Sequence, residues 1–289
     1  MRGPEGERGW GLLLLLLVSL AWAFSFGLIK RYLAGLDTSF IAAARMGLAA
    51  LVFLPLLRPA GLGRGLRWGL AGIGAVQYGL MYTLYIAAFA HLRAWEVALF
   101  TLFTPLYVTL LEDLAARRFH LRHQAAALMA VGGAALIEFR EPFLESALSG
   151  FLLVQGANFC FAFGQVAYRR LMGRAGAVGE HRIFGLLFLG ALAVTVPPAV
   201  LGGLAEPPAL DLRQAGVLLY LGLFAAGLCF FLWNYGARRV EAGTLAVCNN
   251  LKVPLAVAVS ILLFGETAAL VRLLAGSALI LAALLLARR

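Results

Sequence analysis

Charge is scarce in this sequence. Of its 289 residues only 13% are Asp, Glu, Lys or Arg, where a soluble domain carries about 25%. A large water-soluble fold is therefore excluded. Cysteine is equally thin: Cys160, Cys229 and Cys248 all lie inside apolar runs, with neither a disulfide framework nor a zinc-ligand spacing. There is no glycine-rich phosphate loop, no nucleophile elbow and no polar stretch large enough for an ATP-hydrolysing domain. Any transport must draw on a gradient or on the solute itself. No cofactor is implied. The one group that hints at a metal, His120 and His123 near Glu112 and Asp113, has no fixed fourth ligand, and an interfacial histidine pair beside arginines is the commoner case.

What is present is apolar: 62% of the chain is hydrophobic and the mean hydropathy is +0.90. The reading is an all-α polytopic membrane protein. The net charge of +10 does not point to nucleic acid, because the basic residues sit in short loops between apolar runs. A crossing helix needs about 20 apolar residues. Ten such spans are expected, at 10–29, 38–57, 67–89, 94–112, 121–137, 148–168, 183–202, 214–236, 242–264 and 268–287. The first resembles a signal peptide in its Arg2 and Arg8, its leucine run and Ala21-Trp22-Ala23, but its apolar run continues through Ile29, and it is read as an uncleaved helix. With the N-terminus inside, sixteen Lys and Arg fall on the inner side and six on the outer, with Arg45 and Lys252 within the membrane. Cytoplasmic loops retain Lys and Arg, so both termini are expected in the cytoplasm of a cell (inner) membrane protein.

One stretch stands out, LAVCNNLKVPLAVAVSILLFGE from Leu245 to Glu266. A lysine at mid-bilayer costs about 3 kcal/mol even on insertion scales, so Lys252 should face a cavity or a partner. Pro254 removes a backbone donor and frees the carbonyl one turn earlier. The stretch Val97–Arg118 has the same layout around Pro105, 149 residues upstream. The same shift brings Leu121 onto Leu270, and nearby motifs pair as well: Trp22-Ala-Phe-Ser-Phe-Gly27 with Phe159-Cys-Phe-Ala-Phe-Gly164. The expected organisation is a tail (1–9), a first repeat (10–137), a connecting loop (138–147) and a second repeat (148–289). With five spans per copy, the second copy is inverted, and such repeats hold their site at the shared interface near the midplane.

These motifs together resemble the EamA family of the drug/metabolite transporter superfamily. The residues are Trp22 to Lys30, Ala44-Arg45-Met-Gly, the Ala-Phe-Ala run ending the third span, Pro105, Leu232-Trp233-Asn234-Tyr235-Gly236, Pro254, Phe264-Gly265-Glu266 and Leu274-Ala-Gly276. The resemblance implies ten transmembrane helices in two inverted five-helix repeats and export of small metabolites, amino acids among them, by secondary transport. The chain departs from the family where Arg117 occupies the position matching Glu266; its acidic pair, Glu112 and Asp113, lies one turn earlier.

For substrate contacts the polar intramembrane residues are the candidates. Lys252 is a cationic contact for a carboxylate or a partner for a buried acid, and Asn249 and Asn250 lie beside it. Gln77, Met81 and Tyr85 are spaced by four, as are Tyr78 and Tyr82, giving the third span one broad face suited to amphipathic solutes. Asn158, Trp22 and Trp233 complete the set. Pro105 and Pro254 are the expected helix breaks. Arg45, Glu112, Asp113 and Glu266 are structural or gating charges, with Arg45 expected to pair with helix-end carbonyls or an acidic side chain. Glu96 is expected at the interface. Spans five and ten, nearly without polar residues, belong at the periphery, and spans one, three, four, six, eight and nine around the cavity.

The partners are a small-molecule substrate and the bilayer, with a proton or counter-solute for coupling. The reading is a secondary transporter, not an enzyme, exporting a small carboxylate or amino acid by alternating access. The rivals are a broad amine or drug exporter, which needs a buried carboxylate, and an enzyme on lipid-linked substrates, which needs an acid–base or metal cluster.

Overall fold

The computed structural model describes residues 4–117, 121, 125, 129, 132–133, 136, 145–174, 179–204, 208–240, 242–265 and 270–288. Seven helices among them are long and apolar enough to cross a bilayer: α1 (Glu7–Tyr32), α2 (Thr38–Leu56), α3 (Arg64–Ala88), α4 (Ala94–Ala115), α5 (Leu148–Arg174), α6 (Glu180–Gly202) and α7 (Leu212–Ala237). Two more follow, α8 (Ala242–Phe264) and α9 (Leu270–Arg288). Most boundaries fall within three residues of those expected. The sixth span instead runs on past 168 to Arg174, because Arg169, Arg170 and Arg174 extend the helix beyond its apolar run, at the depth where long basic side chains reach water. The fifth expected span and the 138–147 loop lie largely outside the described residues.

The helix starts have local causes. Asp37 caps α2, its carboxylate accepting from the Phe40 amide at 2.8 Å. The Ser39 hydroxyl and neighbouring backbone amides hold its carboxyl below the usual range, against a smaller opposing effect of burial. Asp211 and Gln214 cap α7 reciprocally, at 2.7 and 3.1 Å. Glu96, expected at the interface, is 4% exposed and accepts from the Arg93 amide at 2.7 Å, satisfying the first turn of α4.

Packing closes eight helices into a ring in the order α1, α8, α4, α5, α3, α6, α2, α7 and back to α1. α9 touches the ring only weakly, at α4, the peripheral place expected for the last span. Outward faces are leucine-rich, as at Leu17 and Leu201, 53% and 89% exposed, while Arg45, Gln77 and Gln165 are buried inside. Lipid outside and polar groups inside is the arrangement a bilayer imposes. The tightest wall is α3 on α6. A Cβ at Gly74 would sit 1.8 Å from the Leu187 carbonyl oxygen, and one at Gly190 would sit 1.8 Å from that of Ala71. Only glycine lets these backbones touch.

The helix breaks differ from expectation. At Pro105 the break is real: α4 tightens to a 3-10 turn at Thr101–Phe103 and restarts at Thr104. At Pro254 it is not: α8 is helical without interruption from Ala242 to Phe264. A proline forfeits one backbone bond, which a membrane helix can absorb without ending. The unforeseen irregularities are wide π-helical segments, Ala75–Leu80 within α3 and Tyr220–Leu228 within α7. Moved on by 149 residues, the first falls over 224–229 and overlaps the second.

Candidate functional site

Inside the ring lies a cavity of about 560 Å³, counting its open mouth. Its walls are aromatic: Trp22 and Phe26 from α1, Tyr82 and Tyr85 from α3, Phe161 from α5 and Phe230 from α7. Small polar groups interrupt them at Ser25, Thr101, Thr104 and Asn158. The single charged residue lining it, among the described residues, is Arg45 of α2, from a span the sequence reading left out of the cavity.

Arg45 is 1% exposed. Its Nη2 donates to the Tyr82 hydroxyl at 2.9 Å, and the guanidinium lies 4.3 Å from the centroid of that ring. Nε and Nη1 have no partner among the described residues. The expected pairing with helix-end carbonyls or an acid is thus absent, replaced by a phenol and a π face. A guanidinium without an acidic partner deep in a membrane protein is costly, and the N–H groups it leaves free are donors for an anionic solute. Ser25 Oγ, also in the cavity wall, is likewise without a partner.

Other expected contacts are committed to the scaffold. The Asn158 amide donates to the Phe100 carbonyl at 2.8 Å, and its oxygen accepts from Thr104 Oγ1 at 3.2 Å. It therefore splices the α4 break around Pro105 while standing in the cavity wall. Trp22 donates its indole N–H to the Ala225 carbonyl at 2.8 Å, inside the wide segment of α7, whose looser turns leave carbonyls for outside donors. Trp233 does not line the cavity; it packs behind Trp22, ring centroids 5.0 Å apart. Tyr82 and Tyr85 line it edge to face at 5.8 Å. Gln77 lies just beyond it, fully buried. Lys252, Asn249, Asn250 and Pro254 lie on α8, but their side chains are outside the described residues. Glu266, His120 and His123 are outside them altogether.

One end of the ring carries the basic loops. Below the cavity, Tyr78 packs between Phe188 and Phe230 with centroids at 5.4 and 4.6 Å, and Asn234 donates to its hydroxyl at 2.8 Å. Further out, Arg238 of α7 pairs with Glu180 at 2.6 Å, and Tyr168 of α5 donates to the same carboxylate at 3.0 Å. The Arg58 amide bonds the Arg182 carbonyl at 2.8 Å. This clasp on Glu180 went unforeseen; its signal was one acid in a loop otherwise basic, between Arg174 and Arg182. Glu112 pairs with Arg169 of α5 at 3.6 Å. That pair is half-exposed and contributes little. Asp113 sits on the same end of α4.

Comparison with known proteins follows the same lines. The profile of the EamA-like transporter family matches residues 9–139 and 148–288. A probable biotin transporter of Pseudomonas aeruginosa is 45% identical over 272 residues, 93% of this chain and 95% of the relative. A biotin transporter of Escherichia coli K12 is 39% identical over 278 residues, 96% and 92% of the two chains. A crystal structure of a protein 19% identical superposes over 97% of each chain with a TM-score of 0.68, sharing the fold. The expectation of an amino acid exporter finds no support among these relatives, whereas that of a transporter rather than an enzyme does. The chain is a secondary transporter and belongs to the EamA-like transporter family.

Proposed function

We propose that this chain moves biotin, or a solute sharing its carboxylate and cyclic urea, across the cell (inner) membrane by alternating access, with both termini cytoplasmic. The observation that carries the reading is Arg45: a buried cation with two unpaired N–H groups in an aromatic cavity. Its free N–H groups take the carboxylate; the rings of Tyr82, Tyr85 and Phe161 take the apolar ring and alkyl chain. The relatives named for biotin support the same solute. An amine exporter would need a buried acid in the cavity, and the described lining contains none.

The ten-helix inverted repeat is part of the proposal, supported by the two family matches and by the ring, in which helices from before and after the 138–147 loop alternate. Lys252, with Asn249 and Asn250, is proposed as a second cationic station on the α8 wall. A proton or counter-solute gradient drives the cycle.

The direct test is uptake of labelled biotin by the purified protein in liposomes. Saturable uptake, suppressed by excess unlabelled biotin and lowered in Lys252→Ala, is expected. Uptake equal to that of protein-free liposomes, with an amino acid or amine accumulating instead, would overturn the reading.

The Glu180 clasp holds the basic end shut in this proposal. Glu180→Gln keeps the shape but loses the charge-assisted bond, worth about 1.5–3 kcal/mol. Maleimide labelling of buried Cys229 and Cys248 should accelerate about tenfold or more; unchanged rates would show that the clasp does not control this end.

A further inference from the structure

Two buried amides remain unexplained by the cavity. Gln77 of α3 is 0% exposed and Gln165 of α5 is 3% exposed, and on both side chains the amide nitrogen and the amide oxygen lack any hydrogen-bond partner among the described residues. Four unpaired polar atoms in one interior are unusual, because buried polar groups are nearly always satisfied. They are neighbours across one wall. Gly164, adjacent to Gln165, leaves the space that Gln77 fills: a Cβ there would lie 2.2 Å from the Gln77 side chain.

Their place relative to the cavity is regular. Gln77 lies one turn toward the basic end from Met81, and Gln165 one turn toward it from Phe161; Met81 and Phe161 both line the cavity. Gln77 also belongs to the wide π segment Ala75–Leu80, a kind of irregularity that recurs at functional sites.

We infer that Gln77 and Gln165 form a second subsite that takes the cyclic urea or cyclic amide end of the solute while Arg45 holds its carboxylate. The inference rests on the proposed biotin-like substrate. A primary amide offers one acceptor oxygen and two N–H donors. A cyclic urea offers one carbonyl and two N–H groups, so two glutamines can accept from both ring N–H groups and donate to the carbonyl between them. Gln77 and Tyr82, the residue that anchors Arg45, are five positions apart on α3, about 7 Å along the axis. The subsite therefore suits a solute whose two polar ends are separated by an apolar body. Met81, between the two stations, is unbranched and adapts its shape as the ring passes.

The experiment measures binding of three probes to the purified full chain: biotin; biotin methyl ester, which keeps the urea and masks the carboxylate; and heptanoate, which keeps a carboxylate and lacks the urea. Gln77→Met with Gln165→Met preserves side-chain length. This double variant should bind biotin and its ester about tenfold or more weakly, with heptanoate unchanged, which also shows that the variant is folded. Each single variant should show a smaller loss of the same pattern. Ester binding that survives both substitutions would overturn the subsite, even where Arg45 still governs heptanoate. Heptanoate and biotin binding indifferent to Arg45, with ester binding still sensitive to the glutamines, would overturn the carboxylate assignment and leave the subsite standing. Wild-type protein that binds neither biotin nor its ester would overturn both.

Discussion

Arg45→Met should abolish tight biotin binding and, in the same protein, raise the melting temperature of the empty transporter. Both effects follow from one fact: the guanidinium is buried at 1% exposure with Nε and Nη1 unpartnered. Truncating one partner of a desolvated, hydrogen-bonded charge pair costs about 2–5 kcal/mol, a loss of about 30-fold or more in affinity. In the empty protein the same charge has only a phenol and a π face as neighbours, so an apolar side chain of similar volume should stabilise by about 1–4 kcal/mol. Arg45→Lys should fall between, since an ammonium keeps the charge but not the planar fork. Binding calorimetry and thermal unfolding on the same samples check both halves. Biotin methyl ester is the control, because it should bind wild type and Arg45→Met alike. Loss of binding together with loss of stability would make Arg45 a structural residue.

The second large effect is on folding. Gly190→Ala and Gly74→Ala should each prevent recovery of a monodisperse folded protein. The added methyl group meets a backbone oxygen at 1.8 Å, of Ala71 in one case and Leu187 in the other. Backbone cannot rotate aside as a side chain can, so α3 and α6 must separate along their crossing. Overpacking of this kind costs about 3 kcal/mol, and here each added methyl group wedges the same helix crossing from opposite sides. Gly72→Ala and Gly216→Ala, where nothing lies within 4 Å of the added carbon, are the matched controls and should elute and melt as wild type. Size-exclusion profiles and melting curves of the four proteins decide it.

What the sequence made legible was whatever depends on composition along one helix. Apolar runs placed Ala94 as the start of α4 and Thr38 as the start of α2, because the bilayer requires a continuous length. The polar face of the third span was equally visible, though folding divides it: Met81, Tyr82 and Tyr85 reach the cavity, while Gln77 is packed against Gly164. The role of Arg45 was not visible. Its depth could be counted from the helix start, but its lack of a partner is a property of six surrounding walls. The splicing bond of Asn158 was hidden for the converse reason, since the Phe100 carbonyl it satisfies is 58 positions away. The wide turns in α3 and α7 leave no mark, because a residue inserted into a uniformly apolar helix changes no pattern. Gly74 and Gly190 could not be told from the chain's other glycines until their helices crossed.

The alternation of the ring bears on how the protein is made. In the order α1, α8, α4, α5, α3, α6, α2, α7, each helix has as its two principal neighbours helices from the other side of the 138–147 loop. The first four spans leave the ribosome before any of their principal neighbours among the described helices exists. Until the later spans insert, Arg45 and Gln77 have no interior to occupy, and the early half must wait in the bilayer unsealed. Separate expression of the two halves should therefore yield fragments that are recovered only when both are synthesised together.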